Sequence, residues 1–221
     1  MISLVPVGMI NLLYNNNQNF KEYDMPSSRP DTIIPVLDFA RATQPKRILD
    51  IGMGDGFYGT LFRRELDGNV LIDKGFHKPE SWEVFIKGIE IFPSYITKAH
   101  EYVYNEIKIG NILTDFDTLI DKNEKYDLIF MGDVIEHMEK PEGIKLLLKL
   151  KKHLNSKSYI VVVTPNYKIQ WHQEIAGNKH EAHLSLWDIK DFEYHFWHER
   201  GLNCRASIIG KKLLGRFQKN G

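Results

Sequence analysis

A short apolar run, Ile48-Leu49, is closed by an acid and followed at once by glycines at alternate positions: Asp50-Ile51-Gly52-Met53-Gly54-Asp55-Gly56. No other stretch of the chain constrains the fold as strongly. Glycine has no Cβ, so its backbone reaches φ > 0 and lets a ligand approach closely. Residues 58–66 then read as a helix, whose free N–H groups and positive dipole end face the turn. Strand, glycine turn and helix predict a parallel α/β sheet with a nucleotide-type cofactor at the strand's carboxyl edge. The alternative is a glycine turn in an unrelated α/β protein.

The rest of the chain repeats the alternation. Residues 33–40 present an apolar helical face that ends near Gln44-Pro45. Strands are expected at 47–51, 84–91, 106–109, 126–131, 159–164 and 203–209, with helices at 93–104, 134–155 and 187–200. Pro141 and Gly143 mark a break within the helix at 134–155. Gly210-Lys211 can turn a hairpin into Leu213-Leu214. The fold class is α/β: a doubly wound, mostly parallel, Rossmann-like sheet of seven strands with helices on both faces. Residues 1–26 read as an N-terminal arm and 27–221 as one domain, with an insertion at 67–82 and a long active-site loop at 165–186.

Length and charge narrow the function. At 221 residues the chain suits one domain with a sizeable core. Its 29 basic and 29 acidic residues cancel, so no global field recruits nucleic acid or an anionic membrane. The basic residues after Arg200, unaccompanied by acids, read as a solvated, frayed terminus. The single cysteine, Cys204, excludes an internal disulfide and fits a reducing compartment. Residues 1–13 lack the basic start of a signal peptide, and no uncharged apolar run reaches the roughly 18 residues of a membrane helix. A cytoplasmic protein without membrane contact is expected.

Two cofactor classes fit Gly54-x-Gly56-x-x-Gly59. A dinucleotide site expects an acid about 20 residues further on, whereas the good candidate, Glu90, comes much later. Asp50 precedes the first glycine, where a carboxylate meets the cationic amino-acid end of a ligand. Strand, acid, Gly52-x-Gly54-x-Gly56, helix, strand and a second acid closely resemble the class I S-adenosylmethionine (SAM)-dependent methyltransferases. The runs 88–97, Gly132-Asp133-Val134-Ile135-Glu136-His137 and Thr164-Pro165-Asn166 resemble a broad bacterial and phage group within that class.

The resemblance implies a cofactor set. Asp50, Gly52, Gly54 and Gly56 would surround the methionine end, and Glu90 would accept hydrogen bonds from both ribose hydroxyls. Ile91 and Ile112 would sandwich the adenine or serve as ordinary core, Asn111 would bond its edge, and Gly132 would lie near the sulfonium. The class often carries Asp where this chain has Asn111.

Asp133, Glu136 and His137 fall at i, i+3 and i+4 beyond the fourth strand, which puts them on one helical face. Carboxylates with imidazole suit a divalent cation, Mg²⁺, Mn²⁺ or Zn²⁺, and the long loop adds His172, His180 and His183. Asp-x-x-Glu-His, Thr-Pro-Asn-Tyr and then His183, Trp187 and Phe192 resemble two metal-using O-methyltransferase families. One methylates the terminal ribose 2′-hydroxyl of small RNAs, the other ubiquinone precursors. The implied ligands are Asp133, Glu136, His137 and His183, with the first acid shorter by one methylene than the families' Glu. The alternative is a helix cap with ordinary loop histidines. Without metal, His137 or His183 would act as general base, beside Asp133. Trp171 is a pocket candidate, whereas Trp187, Phe196 and Trp197 at helical spacing read as core.

The expected function is methyl transfer to a hydroxyl of a small molecule or sugar. RNA ribose 2′-O-methylation is a second reading, and a non-catalytic SAM-binding protein a third.

Overall fold

The computed structural model describes residues 30–68, 79–167, 178–196 and 200–219. The arm at 1–26, the middle of the 67–82 insertion, and Trp171, His172 and Trp197 lie outside the described residues.

Seven strands form one sheet: β1 Arg47–Ile51, β2 Phe85–Glu90, β3 Glu106–Ile109, β4 Tyr126–Gly132, β5 Leu154–Pro165, β6 Leu202–Ile209 and β7 Lys212–Lys219. Their order is β3-β2-β1-β4-β5-β7-β6, parallel except for β7, which runs antiparallel to both neighbours. Chain order reverses between β1 and β4, and the crevice that forms at such a switch point is where ligands bind in these sheets.

Alternation along the strands supplies two cores. Leu49, Ile51, Ile129, Met131, Ile160 and Val162 face one side. There they meet helix α4 (Phe116–Leu119), α5 (Lys140–Lys151) and α6 (Ile189–Phe196). Ile48, Leu128, Phe130, Val161 and Val163 face the other side, against α1 (Ile33–Thr43), α2 (Phe57–Leu66) and α3 (Lys98–Val103). A strand buried on both faces reads as a continuous apolar run, which is why 126–131 and 159–164 were legible. Helix α1 stops at Gln44, whose left-handed φ of 47° precedes Pro45. Among the described residues no helix is long and apolar enough to cross a membrane.

Four expectations are corrected. The basic terminus is not frayed: residues 212–219 form β7, inserted between β5 and β6, with Leu213, Leu214 and Phe217 buried. Interleaved lysines and arginines hid that alternation, and Gly215 admits the ring of Phe192, which a Cβ would meet at 2.7 Å. The helix expected at 134–155 is a 3-10 turn, Ile135–His137, then extended Met138 and helix α5. Pro141 lies in the first turn of α5, where its missing N–H costs nothing. Strand β5 begins at Leu154, earlier than expected, and Trp187 precedes its helix as a fully buried core residue.

Candidate active site

The loop after β1 carries Gly52, Gly54 and Gly56 at φ of 68°, 53° and 77°. All three values lie in the left-handed region that side chains disfavour. Gly52 also has a steric reason, since a Cβ there would stand 2.4 Å from Val134 Cγ2. At Gly54 a Cβ would meet nothing within 4 Å, so that backbone lies open to the cavity.

Glu90, buried at the end of β2, holds this loop. Its Oε2 accepts from Gly54 N at 2.9 Å, and its Oε1 accepts from Ile91 N and Phe92 N, each at 2.9 Å. A carboxylate has about four acceptor sites, so one site on Oε2 is left for a ligand. Burial raises the Glu90 pKa despite these three donors. His100 braces the loop from α3. Its Nδ1 accepts from Thr97 N, which places the ring proton on Nε2, donated to Gly54 O at 2.9 Å. Asp50 lies beneath, almost fully buried, and accepts from Tyr104 Oη at 2.7 Å. Burial pushes its pKa up to about 7.

Asp50, Gly52, Gly54 and Glu90 line a cavity of about 520 Å³ that opens along the carboxyl edge of the sheet. It brings together Asp50, Gly52, Gly54, Glu90, Ile91, Asn111, Ile112 and Gly132. Gly56 does not line it; it starts helix α2 from behind the loop. Asn111 turns its Oδ1 to Leu113 N at 2.9 Å, which leaves the amide Nδ2 as its group for a ligand.

The same cavity reaches Asp133, Glu136, His137 and His183. The helical-face argument for the first three does not hold in detail, because Asp133 takes a left-handed φ of 55° and only a 3-10 turn follows. Ligand atoms of Glu136, His137 and His183 nevertheless lie within 4.8 Å of one another. Asp133 stands outside that group and accepts from Lys212 Nζ, a buried ammonium on β7.

Each of the three is held by a separate support. His137 Nδ1 donates to Ala182 O at 3.2 Å, which frees Nε2. Glu136 is buried, with Oε2 bonded by the Thr164 hydroxyl at 2.9 Å and Oε1 without a partner among the described residues. Burial, followed by the neighbouring Asp133 charge, pushes the Glu136 pKa well up. Burial and His137 lower the His183 pKa to about 4, which keeps its imidazole neutral. The rings of His137 and His183 meet edge-on, 4.8 Å between centroids. An orphaned buried carboxylate oxygen beside two imidazoles fits a divalent cation.

The chain is strapped down just beyond His183. Leu184 N and Ser185 N donate to Glu136 O at 2.7 and 3.0 Å, and Ser185 Oγ donates to Met138 O at 2.7 Å. Sequence reasoning missed Lys212, Tyr95, Asn178, Glu181 and His100. Lys212 stands opposite Pro165 only through the β5–β7 register, which no local pattern reveals.

The family model for the methyltransferase domain matches residues 25–207. No curated protein matches the chain. Among solved structures, an O-methyltransferase family protein from Burkholderia thailandensis is 12% identical with a TM-score of 0.57, over 87% of this chain and 57% of that one. The CurJ carbon methyltransferase is 15% identical with a TM-score of 0.62, over 86% and 54%. The plantazolicin methyltransferase BamL, solved with a triazolic desmethylPZN analogue and S-adenosylhomocysteine (SAH), is 14% identical with a TM-score of 0.55, over 87% and 85%. The chain thus spans little more than half the length of the first two, and at such identities the likeness establishes the fold. With the family match covering most of its length, this chain belongs to the class I SAM-dependent methyltransferases.

Proposed function

We infer that this protein transfers a methyl group from SAM to a hydroxyl oxygen of a small molecule or sugar, assisted by a divalent cation. The carrying observation is the buried Oε1 of Glu136, without a partner among the described residues and set against the imidazoles of His137 and His183 in the cavity that the glycine loop opens into. Two imidazoles and one carboxylate suit Mn²⁺, Fe²⁺ or Zn²⁺ better than Mg²⁺. Asp133 belongs to the Lys212 pair and not to this ligand set.

The chain's residues divide the work. Asp50 meets the ammonium of the methionine end, the loop backbone at Gly52 and Gly54 lies along it, and Glu90 takes a ribose hydroxyl. Ile91 and Ile112 flank the adenine, Asn111 donates to its edge, and Gly132 leaves room for the sulfonium. The acceptor oxygen attacks the methyl carbon in line as the carbon–sulfur bond breaks, releasing SAH. Sulfonium already makes the methyl electrophilic, so positioning supplies most of the catalysis. His137 Nε2, the ring nitrogen left free by the bond to Ala182, is the atom that would hold the cation, and the hydroxyl proton then leaves to water; with no cation bound, the same nitrogen would take that proton. A bound cation would lower the pKa of that hydroxyl.

A second reading, RNA ribose methylation, is favoured by Lys211, whose Nζ lies 5.4 Å from the Tyr167 ring at the cavity wall. A labelled-SAM screen over phenols, sugars and short RNAs separates the two. Label on a phenol or sugar oxygen supports the first reading, and label on RNA alone supports the second.

A further inference from the structure

We propose that Glu181 is a cofactor-binding residue which, oriented by Tyr95 and Asn178, takes the second ribose hydroxyl of SAM from the acceptor-side loop. The proposal rests on the SAM reading of the cavity. Three backbone N–H groups already bond Glu90, two on Oε1 and one on Oε2. One lone pair is left. A ribose offers two hydroxyl donors, so one of them needs a different acceptor.

Glu181 is built for that task. Tyr95 Oη donates to its Oε1 at 2.9 Å, and Asn178 Nδ2 donates to the same oxygen at 2.9 Å. Asn178 is buried, lies 3.3 Å from Tyr95 Oη through Nδ2, and has its own Oδ1 held by His180 N at 3.0 Å. Both acceptor sites of Oε1 are therefore filled and the carboxylate plane is set. Among the described residues Oε2 accepts no hydrogen bond.

Tyr95, Asn178, His180 and Glu181 line the same cavity as Glu90. Tyr95 sits on the 3-10 turn Pro93–Tyr95 that leaves β2 just beyond Glu90, and its bond to Glu181 ties that carboxylate to the Glu90 end of the chain's path around the cavity. The two carboxylates line one cavity, and the Glu181 charge raises the Glu90 pKa. A vicinal diol donating one hydroxyl to each would relieve that repulsion. His183 lies two residues beyond Glu181, so a ribose bound at Glu181 also holds the segment that carries His183.

The test is calorimetry of wild type, Glu181→Ala and Tyr95→Phe with SAH and its 2′-deoxy and 3′-deoxy analogues. Wild type should lose about tenfold in affinity on losing either hydroxyl. Glu181→Ala should lose about tenfold for SAH and almost nothing further for one of the two analogues. Tyr95→Phe, which keeps the carboxylate but loosens it, should show a smaller loss with the same analogue pattern. A merely structural role would leave the losses additive for both analogues, and that result, or wild-type affinity in Glu181→Ala, overturns the proposal. Failure of wild type to bind SAH at all would instead overturn the SAM reading and this proposal with it.

Discussion

Lys212, from the last strand to join the sheet, donates to Asp133 at the carboxyl end of β4. Both side chains are largely withdrawn from water, and the pair closes the rim between the cofactor loop and the histidines. The pairing engages the carboxylate of the first acid in the Asp-x-x-Glu-His motif. It also places a positive charge beside Glu136 and His183, which favours the charged form of that acid and the neutral form of that imidazole.

Breaking that pair from one side leaves a buried charge alone. Lys212→Met should destabilise the protein by about 3 kcal/mol, because Asp133 keeps its charge without a partner. Lys212→Met combined with Asp133→Leu should recover most of the loss, since both charges are then removed. Urea unfolding of the single and double variants measures the difference, and additive losses would count against the pair.

Glu90→Gln tests the loop support. The amide keeps an acceptor oxygen but presents its NH₂ to a backbone donor, either Gly54 N or those of Ile91 and Phe92. SAH affinity should fall by about 1–3 kcal/mol, with a loss of thermal stability in the apo protein as well. Unchanged stability would show that the carboxylate is not what ties β2 to the glycine loop.

Asp50 supplies a pH dependence. Burial pushes its pKa up to about 7 in the folded protein, against 3.8 for an ordinary Asp. The folded state therefore holds this proton more tightly than the unfolded state. The stability this group contributes is full below about pH 4 and is lost as pH rises through about 7. An ammonium bound beside Asp50 favours the carboxylate, so SAH binding below pH 7 releases a proton. Affinity should rise from pH 5 to 7 by up to about tenfold per unit and then level off. Calorimetry in buffers of different ionisation enthalpy counts the proton, and Asp50→Asn should abolish the slope.

What the sequence made legible follows from local physics. The β1 turn and the apolar interiors of β4 and β5 stood out because glycine spacing and continuous apolar runs need no tertiary information. Glu136, His137 and His183 were found by residue type and spacing, although a 3-10 turn and a strapped loop, not one helical face, bring them together. The ion pair of Lys212 was illegible because it depends on the pairing of Pro165 with Lys212 across an antiparallel ladder. Glu181 was equally hidden, since its partner Tyr95 is 86 positions away in the chain.

The central claim is that Glu136, His137 and His183 hold a cation that serves transfer to a hydroxyl. The most direct measurement is labelled methyl transfer by wild type and His183→Ala, assayed with a chelator and after adding back Mn²⁺ or Zn²⁺, with SAH affinity measured in parallel. Transfer to a hydroxyl oxygen should be lost on chelation, restored by metal in wild type, and lost in His183→Ala at nearly unchanged SAH affinity, since Glu90 keeps its loop donors and Glu181 keeps its bonds to Tyr95 and Asn178. Transfer that ignores both the chelator and the substitution, or that places the methyl group on nitrogen or carbon, would contradict the account.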